Sequence, residues 1–182
     1  MRLADADILI IPGLGNSGPD HWQSRWEAKI ATARRVEQAD WHVPKLADWV
    51  ANIEAAVASA SRPVILIAHS CGAAAVIHAA PLLVPGRVAG AVLVSCPDAG
   101  SPGLPGAAVA FLPVPNAPLP FPAVLVASRN DAFRAFAQAK ALALDLGAAL
   151  ADAGQAGHIN SLSGHGPWPE GLMRLAGFLR IL

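Results

Sequence analysis

The stretch Pro63-Val64-Ile65-Leu66-Ile67-Ala68-His69-Ser70-Cys71-Gly72-Ala73-Ala74-Ala75 decides the fold. Its first half is a run of apolar, mostly β-branched residues, which is typical of a buried strand. Small residues that favour a helix follow Gly72 directly. A strand that turns sharply into a helix and holds one serine at the apex is a nucleophile elbow. The stretch therefore predicts that Ser70 is an exposed, reactive serine.

The spacing around Ser70 departs from G-x-S-x-G in one place, because Ala68 stands where the first glycine is usual. The extra methyl group weakens the motif without excluding the turn. The alternative interpretation is that Ser70 only caps a helix after a buried strand. A serine becomes a good nucleophile only beside a base and near backbone N–H groups, so the rest of the chain has to supply both.

Composition bounds the class of protein. The chain has 182 residues, of which 54% are apolar and 14% are charged, and its 13 basic and 13 acidic residues cancel. This predicts one domain over residues 1–182 with a large core, and no nucleic-acid partner. The chain contains no H-E-x-x-H motif and no C-x-x-C pair, so no metal site is expected.

The N-terminus carries two aspartates before any long apolar run, which does not resemble a signal peptide. Prolines and His78 interrupt the long apolar stretches, so no membrane span is expected. Cys71 and Cys96 each follow an apolar run and are interpreted as reduced, buried thiols. These features favour a cytoplasmic location.

Apolar strands and amphipathic helices alternate along the chain, which predicts an α/β fold with a mostly parallel central sheet and helices on both faces. The expected strands are Ile8–Ile11, Ala33–Gln38, Val64–Ala68, Val88–Ser95, Ala123–Ala127 and Ala148–Asp152. The expected helices start near Asp20, cover Leu46–Val57 and Cys71–Leu83, and then Asp131–Leu146 and Trp168–Ile181.

The segment Ser101–Pro122 is irregular, with seven prolines in 22 residues. It is too rich in proline for a long helix and too apolar for a free linker. We expect it to cover the carboxyl edge of the sheet, where folds of this class bind ligands. The apolar residues expected to line a substrate pocket there are Leu104, Phe111, Leu112 and Phe121.

An elbow serine needs an acid and a histidine, which on such a fold follow it in that order and lie just beyond strand ends. Asp131 follows the strand that ends at Ala127 and is the predicted acid. One alternative is that Asp131 only caps a helix. Another is that Asp98, which follows the preceding strand, is the acid.

The predicted base is His158, which follows the last strand and is preceded by a glycine that allows a close approach. His165 is the alternative. His69 points to the opposite side of the strand from Ser70 and does not suit the role, because side chains alternate along a strand.

The oxyanion of an acyl-transfer reaction needs two backbone donors. We expect one from Cys71, directly after the serine, and the other from Leu14 or Gly15 in the glycine-rich loop after the first strand. The same loop also matches G-x-G-x-x-G, the motif of a dinucleotide-binding loop. That alternative lacks a convincing acidic ribose ligand, Asp40 being the nearest, so no cofactor is expected.

With these residues assembled, the chain resembles the retinoblastoma-binding protein 9 and YdeN-like serine hydrolases, small members of the α/β-hydrolase superfamily. The resemblance runs nearly end to end. It is carried by Ile11-Pro12-Gly13, Ser17-Gly18, His21-Trp22, Ala68-His69-Ser70-Cys71-Gly72, Ser128-Arg129-Asn130-Asp131 and Gly157-His158-Ile159-Asn160. One departure is Ala132-Phe133, where relatives often have a proline after the aspartate.

The resemblance implies that Ser70, Asp131 and His158 form a catalytic triad in a compact fold without a cap domain. It implies hydrolysis of small carboxylic esters or amides without a cofactor, and it adds His21 and Trp22 as pocket candidates. Two other functions remain open on the sequence: a non-catalytic protein-binding module, and an acyltransferase with the same triad. The sequence does not identify a protein partner.

Overall fold

The computed structural model describes residues Met1–Leu182 and contains one six-stranded sheet. The spatial order of the strands is β2-β1-β3-β4-β5-β6, and every neighbouring pair is parallel. The strands are β1 (Asp7–Ile11), β2 (Ala33–Arg35), β3 (Val64–His69), β4 (Val88–Val94), β5 (Ala123–Ala127) and β6 (Ala149–Asp152). The parallel α/β sheet predicted from the sequence is confirmed, although β2 is shorter than expected.

Helices cover both faces of the sheet. They are α1 (Trp22–Lys29), α2 (Leu46–Ala58), α3 (Cys71–Ala79), α4 (Phe136–Asp145) and α5 (Pro169–Leu179). Helices α2, α3 and α4 pack on one face, and α1 and α5 pack on the other, which divides the buried apolar residues into two clusters. No helix is both long enough and apolar enough to cross a bilayer.

Strand β3 lies in the middle of the sheet and is buried at every position. Leu66 and Ala68 point into the cluster under α2, α3 and α4, while Ile65 and Ile67 point into the cluster under α1 and α5. A strand covered on both faces must be apolar at successive positions, which explains its continuous apolar run. Ser70 is thereby held at the carboxyl edge of a rigid sheet.

The proline-rich segment lies across this edge and contains the short 3-10 helix Gly106–Phe111. Phe111 is fully buried, with its ring 4.9 Å from that of Trp49 on α2. His78 on α3 donates from Nε2 to the carbonyl oxygen of Phe111 at 3.0 Å. The segment is therefore fixed to the body of the protein by one aromatic anchor and one side-chain hydrogen bond.

Candidate active site

Ser70 lies at the turn between β3 and α3 with φ 55° and ψ −126°. Positive φ is rare for a residue with a side chain, and such strain is kept where the surroundings enforce it. Here the Ser70 N–H donates to the carbonyl oxygen of Val94 at 2.9 Å. A Cβ added to Gly72 would collide with the carbonyl oxygens of Ile11 and Pro12, so helix α3 needs glycine there to approach β1.

Three side chains at the carboxyl edge form one hydrogen-bonded chain. The Ser70 Oγ is 2.9 Å from His158 Nε2, and His158 Nδ1 is 2.9 Å and 3.0 Å from the two carboxylate oxygens of Asp131. The carboxylate accepts the Nδ1 proton, which leaves the Nε2 lone pair facing the serine hydroxyl. The side chains of His158 and Asp131 are only 10% and 4% exposed, which limits competition from water.

Asp131 does not cap a helix, because α4 begins at Phe136 rather than at Asp131 as expected from the sequence. The residues between them form a loop that Arg134 holds in place. Its buried guanidinium donates to the carbonyl oxygens of Cys96 and Pro97 at 2.7 Å and 2.6 Å. The Asp131 carboxylate also accepts a hydrogen bond from the Phe133 N–H at 2.9 Å, which fixes its orientation.

Two buried side chains donate hydrogen bonds to the loop that carries His158. His69 Nε2 donates to the carbonyl oxygen of His158 at 2.9 Å, and Trp22 Nε1 donates to that of Ile159 at 2.8 Å. Trp22 is fully buried and does not line the cavity, so its prediction as a pocket residue is wrong. The large indole instead fills the core between α1 and α5 and supports this loop.

Asp98 and His165, the alternatives for the acid and the base, form hydrogen bonds with other residues. The Asp98 carboxylate accepts from the Gly100 N–H at 3.0 Å and Gln138 Nε2 at 3.1 Å, and it pairs with Arg134 at 3.7 Å. His165 Nδ1 is 3.2 Å from Ser163 Oγ. Neither side chain contacts Ser70, His158 or Asp131 by a hydrogen bond.

Two backbone N–H groups beside Ser70 have no backbone acceptor, those of Cys71 and Leu14. The Gly15 N–H donates to the carbonyl oxygen of Trp41 at 2.7 Å, which makes Gly15 unsuitable as the second donor expected from the sequence.

Burial raises the pKa of the Cys71 thiol to about 11, against the effect of the nearby Leu14 N–H and Ser70 hydroxyl. The thiol is therefore protonated at neutral pH.

The loop between β1 and α1, which carries Leu14, is fixed by Arg35 on the edge strand β2. Arg35 Nη1 donates to Asn16 Oδ1 at 2.6 Å and to the carbonyl oxygen of Ser17 at 2.9 Å. The same guanidinium pairs with Glu27 on α1 at 2.8 Å. Asn16 adopts a positive φ of 64° in this turn, so the loop is both strained and firmly held.

Ser70 opens into a cavity of about 220 Å³. The apolar side chains that line it include Pro97, Leu104, Pro105, Ala108, Phe133 and Leu162. The polar side chains that line it include His21, His69, Asn16 and Asn160. Leu104 and His21 thus lie where the sequence predicted pocket residues. Phe133 and Asn160 also line the cavity and were not predicted as pocket residues, although they lie close in sequence to Asp131 and His158.

Three other predicted pocket residues lie away from the cavity. Phe111 is in the core against Trp49, Phe121 lies at the opposite end of α3 beside Pro81 and Val88, and Leu112 faces a separate groove near Asp145. These predictions are wrong, because the apolar side chains of the proline-rich segment are used mainly to anchor it. Only the part around Leu104–Ala108 reaches the serine.

Comparison with known proteins identifies the group to which the chain belongs. A family profile described as serine hydrolase matches residues 8–177. A YdeN-like hydrolase from Pectobacterium atrosepticum is 35% identical with a TM-score of 0.86, covering 98% of this chain and 92% of that one. The ydeN gene product of B. subtilis is 20% identical with a TM-score of 0.77, over 95% and 98% of the two chains.

An esterase from Rhodococcus sp. shares the fold at 16% identity, with a TM-score of 0.66 and coverage of 99% and 90%. No curated protein sequence matches the chain. The family profile covers most of the chain, and the 35% identical relative covers nearly all of it. The chain therefore belongs to the serine hydrolase family, in its YdeN-like branch of the α/β-hydrolase superfamily.

Proposed function

We propose that residues 1–182 act as one domain that hydrolyses small carboxylic esters, and amides by the same chemistry, through Ser70, His158 and Asp131. The observation that carries the proposal is the unbroken hydrogen-bonded chain from the Asp131 carboxylate through His158 to the Ser70 hydroxyl. A serine alone is unreactive at neutral pH, and this geometry supplies the base that activates it.

In the first half of the reaction, Ser70 Oγ attacks the carbonyl carbon while its proton moves to His158 Nε2. The charged imidazole that forms is stabilised by the Asp131 carboxylate, which also keeps the proton on Nδ1. His158 then gives its proton to the leaving alcohol or amine, and the acyl group stays on Ser70 as an ester. Atoms and protons balance without any further reactant.

The negative charge on the carbonyl oxygen is proposed to be stabilised by the N–H groups of Cys71 and Leu14. Both groups lie beside Ser70 and lack a backbone acceptor. Donors fixed in advance cost no reorganisation during the reaction, and one such donor contributes about 10²- to 10³-fold to turnover. The Arg35 contacts described above hold the Leu14 loop in this position.

In the second half, a water molecule attacks the acyl group while His158 takes its proton. The proton then returns to Ser70 Oγ, the acid is released and the serine is restored. The cavity of about 220 Å³ favours small or compact substrates. Esterases among the structural neighbours support this choice of substrate class.

The proposal is tested by labelling the folded protein with a fluorophosphonate, which reacts with activated serines, followed by peptide mapping. We expect one labelled site at Ser70 and no label in Ser70→Ala. Ser101→Ala is the matched control and should label like the unchanged protein, because the Ser101 hydroxyl has no role in the hydrogen-bonded chain. A label at another serine, or no label in well-folded protein, contradicts the proposal.

A further inference from the structure

The polar side chains that line the cavity are uncharged. Among the residues that line the cavity there is no lysine, arginine, aspartate or glutamate. Two of the lining residues are the histidines His21 and His69, each only 5% exposed. Buried polar groups need partners, and those that open onto a substrate cavity bind water or the substrate.

His21 offers the cavity a hydrogen-bond donor. Its Nδ1 accepts the backbone N–H of Gln23 at 3.2 Å, so the proton of the neutral ring is on Nε2. Burial, with smaller effects of the Arg35 charge and neighbouring histidines, lowers the pKa of His21 to about 4 and keeps the ring neutral. Nε2 has no partner in the protein. The fully buried side-chain atoms without a partner are Gln38 Nε2 and Ser95 Oγ, so His21 Nε2 is accessible, and the space that His21 lines is the cavity.

His69 offers an acceptor beside it. Its Nε2 donates to the carbonyl oxygen of His158, which leaves a lone pair on Nδ1. Burial lowers the pKa of His69 well below its usual value, so Nδ1 does not take up a proton at neutral pH. His69 Nδ1 also has no protein partner, and it is not among the fully buried atoms without a partner, so it is accessible. The two rings lie edge to face, with their centroids 5.0 Å apart.

A donor and an acceptor this close together complement a group that can both accept and donate, which is a hydroxyl or a carboxamide. A carboxylate or ammonium group would enter this cavity without an opposite charge, at a large desolvation cost. The leaving group must reach His158 Nε2 for its proton, and the Phe133 ring stands edge-on against His158 at 4.6 Å. The His69 ring is also close to His158, at 4.9 Å, and it lies between His158 and His21, whose ring is 5.0 Å from that of His69. Because Phe133 adjoins the base directly and His21 does not, we place the leaving group on the Phe133 side and the acyl group on the His21 side.

We infer that the preferred substrates are esters whose acyl part carries an uncharged hydroxyl or carboxamide group, bound by His21 and His69, and whose alcohol part is apolar. This inference rests on the proposed function, since it orients an acyl group on Ser70. His21 is then a residue that determines specificity rather than one that moves protons.

The test compares kcat/KM for p-nitrophenyl 3-hydroxybutyrate with that for p-nitrophenyl butyrate, which differ by one hydroxyl. We expect the unchanged protein to prefer the hydroxyl ester about tenfold, the size of a well-made hydrogen bond in a buried site. In His21→Ser the preference should fall to about one. Serine keeps the acceptor that caps α1 and removes the imidazole donor.

Leu104→Ala changes an apolar residue of the cavity lining and is the matched control, which should leave the ratio of the two values unchanged. Equal or faster turnover of butyrate, a ratio unaffected by His21→Ser, or a preference for the charged mono-p-nitrophenyl succinate would overturn the inference. Fluorophosphonate labelling of the same preparations separates the two failures. Labelling at Ser70 with the wrong preference refutes only the substrate class, whereas no labelling refutes the proposed function.

Discussion

His69 donates a hydrogen bond from Nε2 to the backbone carbonyl oxygen of His158 at 2.9 Å, so the residue before the proposed nucleophile holds the loop of the proposed base. The two imidazole rings are 4.9 Å apart. The end of strand β3 thus holds Ser70 at the carboxyl edge of the sheet, and the neighbouring His69 side chain supports the loop that carries His158. The relative position of serine and histidine is therefore set by one strand end.

We expect His69→Phe to lower kcat for p-nitrophenyl butyrate by about 10- to 100-fold, with a smaller change in KM. The ring volume is kept, but the His158 carbonyl loses its donor, which costs about 1–3 kcal/mol of stability. His69→Gln retains an N–H near the same position and should recover part of kcat. Steady-state kinetics and urea unfolding measure both effects. A kcat unchanged in His69→Phe would show that the contact does not position the base.

The base is tested by comparing two histidine variants. His158→Ala should lower the turnover of an activated ester by about 10³-fold or more, because members of a triad act as a unit. His165→Ala, which removes a side chain bound only to Ser163, should change turnover less than threefold. Stopped assays with p-nitrophenyl acetate measure both. The reverse order of effects would move the base to His165.

The acid is tested by a pair of isosteric substitutions. Asp131→Asn should lower kcat by about 10⁴-fold, since an amide favours the wrong tautomer of the histidine. Asp98→Asn weakens a partly exposed ion pair with Arg134 and should cost at most about 1 kcal/mol of stability, with turnover nearly unchanged. Full activity of Asp131→Asn would contradict the assignment.

The close approach of the glycine-rich loop to the serine predicts the effect of one methyl group. A Cβ on Gly13 would lie 2.7 Å from Ser70 Cβ and 3.0 Å from the carbonyl oxygen of His69. Gly13→Ala should therefore displace the Leu14 N–H and lower kcat by about 10²-fold, the effect of losing one oxyanion donor. Gly177→Ala on α5 has open space around it and is the control. Equal kcat in both variants would remove Leu14 from the proposed oxyanion site.

The two buried neutral histidines predict acid sensitivity. The pKa of His21 is about 4 in the folded protein and about 6.5 when unfolded, so between these values only the unfolded chain takes up the proton. Stability should therefore fall as the pH is lowered from 6.5 to 4, by up to about 3 kcal/mol from this group, and His69 adds in the same direction. Urea unfolding at pH 7 and pH 4.5 measures the loss. His21→Ser should show a smaller loss, and an equal loss would contradict this explanation.

The strands were predictable from the sequence where they are covered on both faces, because full burial leaves a continuous apolar run, as in β3 and β5. The start of helix α4 was not predictable, since it lies at Phe136 only because Arg134 donates hydrogen bonds to the carbonyl oxygens of Cys96 and Pro97. Those acceptors are distant in sequence. A local pattern therefore extended the helix to Asp131.

In the candidate site, too, one part was predictable from the sequence and another part was not. Parallel strands bring their carboxyl ends to one edge, so chain order predicts that Ser70 lies near Asp131 or Asp98 and near His158 or His165, and the family resemblance favours Asp131 and His158. The structure brings Ser70, His158 and Asp131 within hydrogen-bonding distance. The pocket lining could not be predicted. Whether Leu104 or Phe111 faces the serine depends on the contact between Phe111 and Trp49, which only the folded protein reveals.

Arg35 lies on the three-residue edge strand β2, and its hydrogen bonds to Asn16 and Ser17 hold the loop that carries Leu14. This short strand therefore matters for the position of the proposed oxyanion donor. Strand β2 adds little apolar packing, and an engineer seeking a smaller scaffold would remove it first. Such a deletion would release the Leu14 loop while leaving every residue of the hydrogen-bonded triad in place. The minimal working version of this hydrolase therefore includes the outermost strand, on the side of the sheet farthest from Asp131.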